Sequence, residues 1–124
     1  MKKLLFIPSL ALLSLTACNM NRVKGNGHVV SKDFSEKGFK DIDVESALTV
    51  YLKQGPDYSV RIDAEDNILE LMQVRVAGDE LKIGYKDNIN AHPTKDVKVY
   101  ITAPDFRNLE ASGACNIISR GSLR

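Results

Sequence analysis

Leu48-Thr49-Val50-Tyr51-Leu52-Lys53 decides the fold. Leu48, Val50 and Leu52 share one face of an extended chain, and Thr49, Tyr51 and Lys53 share the other. Successive side chains of a strand point to opposite faces, so a period of two predicts a strand with one dry face and one wet face. The pattern recurs on both sides of this stretch. Asp41-Ile42-Asp43-Val44-Glu45 alternates acids with Ile42 and Val44. Tyr58, Val60 and Ile62 alternate with Ser59, Arg61 and Asp63. Leu81, Ile83 and Tyr85 alternate with Lys82, Gly84 and Lys86, and Val97, Val99 and Ile101 with Lys98, Tyr100 and Thr102. These runs together predict a mainly β domain.

The breaks carry turn chemistry. Gln54-Gly55-Pro56-Asp57 separates two runs, and Ala77-Gly78-Asp79-Glu80 joins Val74-Arg75-Val76 to Leu81 as a predicted hairpin. Pro93 sits in a polar stretch from Asp87 to Lys95, expected to be the least structured loop. One segment has a different period: Ile68, Leu71 and Met72 are three and four apart and follow Glu65-Asp66-Asn67. Acids suit the start of a helix, so a short helix near Ile68 to Met72 is expected, docked by those three side chains. Towards the C-terminus, Leu109-Glu110-Ala111-Ser112-Gly113-Ala114 and Asn116-Ile117-Ile118 read as short strands with small-residue corners, the pattern of a solenoid rung.

The N-terminus carries a different signal. Met1-Lys2-Lys3 is basic, Leu4 to Leu13 is almost wholly apolar, and Leu15-Thr16-Ala17-Cys18 follows. A basic start, a short apolar core and small residues before a cut make a secretory signal peptide, too short to span a bilayer. Leu15-Thr16-Ala17-Cys18 resembles a bacterial lipobox. The resemblance implies a diacylglycerol on the Cys18 thiol, cleavage before it and acylation of the new amine. Residues 1–17 are then the signal peptide and 18–26 the lipidated cysteine with a flexible tether. Gly25-Asn26-Gly27 reads as a hinge, since no strand-to-helix phosphate loop follows it.

Without Lys2 and Lys3 the chain holds 15 basic and 16 acidic side chains, a net charge of −1. That balance speaks against nucleic acid as a partner and against a polybasic membrane surface. With Cys18 lipidated only Cys115 remains, so no intrachain disulfide forms, and Cys115 reads as a small packed hydrophobe. His28 and His92 have no metal-ligand spacing; His28 is expected at a strand start and His92 on a loop surface. No Gly-x-Ser-x-Gly elbow occurs. Asp63, Glu65 and Asp66 offer oxygens but lack the EF-hand spacing, and read as a solvated acidic turn. Lys82, Lys86, Lys95 and Lys98 read as wet strand faces. Asp41, Asp43 and Glu45 share a face, which a glycan-cleaving pair of acids would need and which a wet face explains equally well. No catalytic residue, metal ligand or cofactor site is expected.

Gly25-Asn26-Gly27, Phe39-Lys40-Asp41-Ile42-Asp43-Val44, Leu48 to Leu52, Ala64-Glu65-Asp66-Asn67-Ile68-Leu69, Leu81 to Tyr85, Val97 to Pro104 and Leu109 to Ala114 follow one another in an order that resembles the auto-transporter adhesin head GIN domain family of bacterial envelope proteins. The resemblance implies the start of a β-solenoid, stacked sheets of the pectin-lyase-like or adhesin-head type, over residues 27–124. It also implies more rungs than these residues hold, so the domain is expected to be cut short at its C-terminal end. The implied role is a non-catalytic binding or adhesion module of the cell envelope. It would be lipid-anchored through Cys18 on the non-cytoplasmic side, with the outer membrane as the expected site. The alternatives are a glycan-active enzyme on a solenoid and a periplasmic scaffold or partner of an envelope regulator. Expected partners are the membrane and a protein or glycan ligand. Weak self-association is expected through the edge from Leu109 to Ile118, where unpaired backbone and exposed apolar groups meet.

Overall fold

The alternating runs become strands. The computed structural model describes residues 21–45, 48–112 and 116–120. The signal peptide, Cys18, Cys115 and Leu123 lie outside them. In chain order the elements are β1 (Asn21–Lys24), β2 (Val29–Phe34), β3 (Asp41–Glu45), β4 (Thr49–Gln54), β5 (Ser59–Glu65), α1 (Asp66–Leu69), β6 (Met72–Ala77), β7 (Glu80–Tyr85), β8 (Ile89–His92), β9 (Lys98–Ala103), β10 (Asn108–Ser112) and β11 (Asn116–Arg120). They make a four-stranded sheet, β10-β3-β7-β6, a five-stranded sheet, β11-β4-β9-β5-β2, and a two-stranded ribbon, β1-β8. Among the described residues the domain is mainly β with one short helix.

The dry faces of the two large sheets share one core. Ile42, Val44, Leu81 and Ile83 from one and Val50, Leu52, Val60, Ile62, Val99 and Ile101 from the other are almost completely buried in a single cluster. Every one of these residues lies on the apolar face that the two-residue period assigned. Within these two sheets four pairings are parallel, β10 with β3, β3 with β7, β11 with β4, and β4 with β9, while β9 with β5 and β5 with β2 are antiparallel. The hairpin β6-β7 forms as expected, with Ala77 opposite Glu80. Gly78 takes φ 66° while Asp79 stays negative, as a type II′ turn requires.

Three expectations are corrected. The segment assigned to a flexible tether contains β1, which pairs in parallel with β8 from Asn21↔Ile89 to Lys24↔His92. The presumed loop from Asp87 to Lys95 therefore contains a strand, with His92 at its end. Val23 and Ala91 supply the reason: both pack against the core, which repays ordering two short polar strands. The Gly25–Gly27 hinge is likewise tied down, since Gly25 N donates to His92 O at 2.9 Å and Asn26 N to Asn67 Oδ1 at 3.1 Å. The expected short helix forms as α1, a single turn set slightly earlier in the chain than expected: it ends at Leu69, while Met72 opens β6. Ile68 and Met72 are buried and Leu71 packs on the same core, so the docking residues are as expected. A helix this short has little cooperativity of its own, and pairing with β7 takes over from Met72 onward.

Candidate binding surface

The register of the five-stranded sheet places Ile118, Tyr51, Tyr100, Arg61 and Asp33 in one row across all five strands. All five positions carry the parity of the wet face. Tyr51 and Tyr100 stack with centroids 4.8 Å apart and planes 10° from parallel. That separation matches the spacing between neighbouring strands, so the rings stand on the sheet like adjacent plates. The Arg61 guanidinium carbon lies 4.4 Å from the Tyr100 centroid, a cation–π contact on an outer face. Arg61 also pairs with Asp63 at 3.2 Å, and Asp63 accepts from Ser31 Oγ at 2.5 Å. Lys53 and Thr102 flank the row on one side, and Thr49 and Lys98 on the other. Ile118 is 42% exposed. The surface is flat and mixed in chemistry: aromatic and guanidinium groups along the centre, ammonium and hydroxyl groups along the rims.

Other charged groups serve the fold. Glu65, expected in a solvated turn, is fully buried. Its carboxylate accepts from Gly27 N at 2.5 Å, Thr94 N at 2.7 Å, Thr94 Oγ1 at 2.7 Å and Lys95 N at 3.2 Å. Burial opposes ionisation, but the Thr94 hydroxyl and the three backbone N–H groups outweigh it and hold the carboxyl down at about 2. Asp63 and Asp66 face other donors, Arg61 and Ser31 for the first and Asn26 Nδ2 for the second, so the three acids do not converge on one point. The Tyr85 hydroxyl is buried without a hydrogen-bond partner among the described residues. Burial, and then the Glu65 charge, push it up.

On the outer face of the four-stranded sheet, Asp41 takes two hydrogen bonds from Arg107, at 3.0 and 2.7 Å, and Arg107 also reaches Asp79 at 2.8 Å. The Arg107 hydrogen bond is the main reason the Asp41 carboxyl sits below its ordinary value. Asp41, Asp43 and Glu45 share this strand's wet parity, as expected. Asp43, Glu80 and Glu110 bring carboxylate oxygens within 4.8 Å of one another and are the described residues that could hold a cation. Lys82 pairs with Glu80 at 3.5 Å and sits opposite Asp43, so the face is one of mixed charge. The four lysines do not form one patch: Lys82 and Lys98 belong to different sheets, and Lys86 Nζ donates to Glu70 O at 3.0 Å. His28 immediately precedes β2, as expected.

Sequence reasoning placed Tyr51 and Tyr100 on wet faces of separate strands without joining them. The Glu65 staple left only one trace, the glycines beside it. A Cβ on Gly25 would lie 2.0 to 2.3 Å from the Glu65 carboxyl atoms, so only glycine fits there.

This two-sheet architecture and its ordered strands coincide with a family model described as "Putative auto-transporter adhesin, head GIN domain", which matches residues 38–124. The chain belongs to that family. Crystal structures of other bacterial proteins share this chain's fold. A putative adhesin from Bacteroides fragilis aligns over 81% of this chain and 47% of its own, with a TM-score of 0.74 and 22% identity. A putative adhesin from Parabacteroides merdae aligns over 81% and 42%, with a TM-score of 0.73 and 22% identity. A protein described as a putative lipid binding protein from Parabacteroides distasonis aligns over 80% and 44%, with a TM-score of 0.74 and 18% identity. The chain spans less than half the length of each. No curated protein matches it. At these identities the likeness concerns the fold. β1 and β2 precede the residues that the family model matches.

Proposed function

We propose that this head GIN domain is a non-catalytic binding module of the bacterial cell envelope, anchored by lipid at Cys18 and recognising a protein ligand through the outer face of its five-stranded sheet. The Tyr51–Tyr100–Arg61 row carries the reading. Tyr and Arg are the side chains that most often dominate protein interfaces, and here they are fixed by stacking before any ligand arrives. The geometry favours a protein over a glycan. Tyr51 covers one face of the Tyr100 ring and Arg61 the other, so a sugar cannot lie flat on Tyr100. The adhesin names of the structural neighbours support the same class of role and an envelope location. The lipobox-like Leu15 to Cys18 supports the anchor.

The reading includes a solenoid. β3 and β4 pair with β10 and β11 at one common shift of 67 positions, Asp41↔Asn108 and Thr49↔Asn116. Two successive strands that step together onto the next pair describe one coil resting on another. Further rungs, or a second copy, would pair against β10 and β11, the edge strands of their sheets.

Immobilised extracellular matrix proteins and envelope glycans, probed with the mature lipoprotein, test the role. Saturable binding to a protein, with no product released from any glycan, is the expected result. Released sugar would overturn the non-catalytic reading, and binding confined to glycans would overturn the choice of ligand. In the same host, Cys18→Ala should abolish lipid labelling and membrane retention, and unchanged retention would overturn the anchor.

A further inference from the structure

We propose that the basic face of the β1–β8 ribbon seats on anionic phosphate headgroups of the membrane that holds Cys18. The inference rests on the anchoring reading above and adds to it a second, electrostatic contact.

The ribbon is two-faced. Parallel pairing sets Arg22 beside Asn90 and Lys24 beside His92 on one side, and Val23 beside Ala91 on the other. Val23 and Ala91 pack against the core, so the opposite face is left to solvent. Arg22, Lys24 and His92 are exposed. With Pro93 and Thr94 they line an open recess of about 520 Å³, a volume within the range of small-molecule sites of roughly 300–1,000 Å³. Arg22 and Lys24 are two residues apart on a strand, about 7 Å, and Lys24 and His92 are one strand spacing apart, about 4.8 Å. One phosphate group can therefore meet more than one of them. No described residue that lines the recess is acidic. Thr94 does hold a carboxylate, that of Glu65, but this group is fully buried and spends its charge on its own four donors.

The ribbon is also held firmly. Gly25 N donates to His92 O, and Asn67 Nδ2 donates to Lys24 O at 2.9 Å. The basic face is part of the folded domain rather than a floppy basic tail. Its place in the chain then selects the occupant. Asn21 follows Cys18 by three residues, which reach at most about 11 Å when fully extended. The screening length at physiological salt is about 8 Å. Arg22 and Lys24 follow Cys18 by four and six residues, so a lipid on Cys18 holds both near the headgroups and leaves slack enough to bring them within that screening length, where anionic headgroups attract basic side chains. Overall charge does not reveal this, because a chain near neutrality can still hold a local cluster of one sign.

The test is amide hydrogen exchange of the mature lipoprotein in vesicles of phosphatidylglycerol and phosphatidylethanolamine, compared with vesicles of phosphatidylcholine alone. Exchange in Asn21–Lys24 and Ile89–His92 should be severalfold slower in the anionic vesicles. The double variant Arg22→Gln, Lys24→Gln should erase that difference while β4 and β9 keep their protection and the protein stays on the vesicles. Equal exchange in the two lipids, or a difference that survives the double variant, would overturn the proposal. Equal slowing by inorganic phosphate added to phosphatidylcholine vesicles would assign the recess to a free anion and overturn the membrane contact. Release of the unsubstituted protein from both kinds of vesicle would overturn the anchor itself, and the headgroup contact with it.

Discussion

Thr94 grips the Glu65 carboxylate twice, through its backbone N–H and through its hydroxyl, each at 2.7 Å. The pair joins the end of β5 to the segment leaving β8, and Gly27 N closes the same carboxylate from the other side. Three stretches far apart in sequence are thus stapled by one buried side chain.

The staple predicts a pH dependence. The folded Glu65 carboxyl sits at about 2 and the unfolded one near its ordinary 4.5. Between those values the unfolded chain binds the proton and the folded one does not, so stability falls as pH falls. The contribution is fully present above about 4.5 and is lost as pH drops through about 2. Asp41, also lowered, acts in the same direction. Denaturant melts of Glu65→Gln should therefore show a shallower acid loss than the wild type. Parallel acid profiles for the two proteins would contradict the staple.

Gly25→Ala attacks the same point by sterics. The new methyl would fall on the Glu65 carboxyl atoms, which are themselves pinned by four donors and cannot yield cheaply. Proteolysis or amide exchange should show β1 and β8 released while the core of β4 and β9 stays protected. An unchanged ribbon would mean the backbone shifts to make room.

In the core, Val50 is completely buried between β9 and β11. Val50→Asp places a carboxylate there with no donor to meet it, and should cost at least about 4 kcal/mol. For a domain of this size that lowers Tm by roughly 15 °C or more. A thermal melt within a degree of wild type would show that Val50 does not carry the core.

The strands that proved easiest to read are those that bury one complete face. β4 and β9 alternate over their full length, so period alone gave their orientation and their core residues. The ribbon was hidden for the opposite reason. Asn21-Arg22-Val23-Lys24 and Ile89-Asn90-Ala91-His92 bury little, are polar on the outer side and pair across 68 positions. The Glu65 staple was invisible because three of its four donors are backbone N–H groups, which every residue but proline offers. Tyr51 and Tyr100 were each correctly placed on a wet face, but their stacking depends on a register of 49 positions that no local pattern encodes. The helix signal was sound at Ile68 and overrun at Met72, where strand pairing won.

The edge formed by β10 and β11 carries a prediction of its own. Leu109 is 40% and Ile118 42% exposed, and both belong to edge strands. Apolar edge strands invite pairing. Sedimentation of the soluble form starting at Asn19 should show weak, concentration-dependent association that Ile118→Lys removes. A strict monomer at high concentration would show that this edge is already covered.

Binding to the captured protein ligand, with each sheet face altered in turn, decides which face recognises it. The variant Tyr51→Ser, Tyr100→Ser, Arg61→Ser removes the row on the five-stranded sheet. The variant Asp43→Asn, Lys82→Gln changes the outer face of the four-stranded sheet and serves as the control. The first variant should lose at least tenfold in affinity, about 1.4 kcal/mol, and the second should bind as the wild type does. Full affinity in the first variant, with its fold confirmed by an unaltered circular dichroism spectrum, would contradict recognition through the five-stranded sheet.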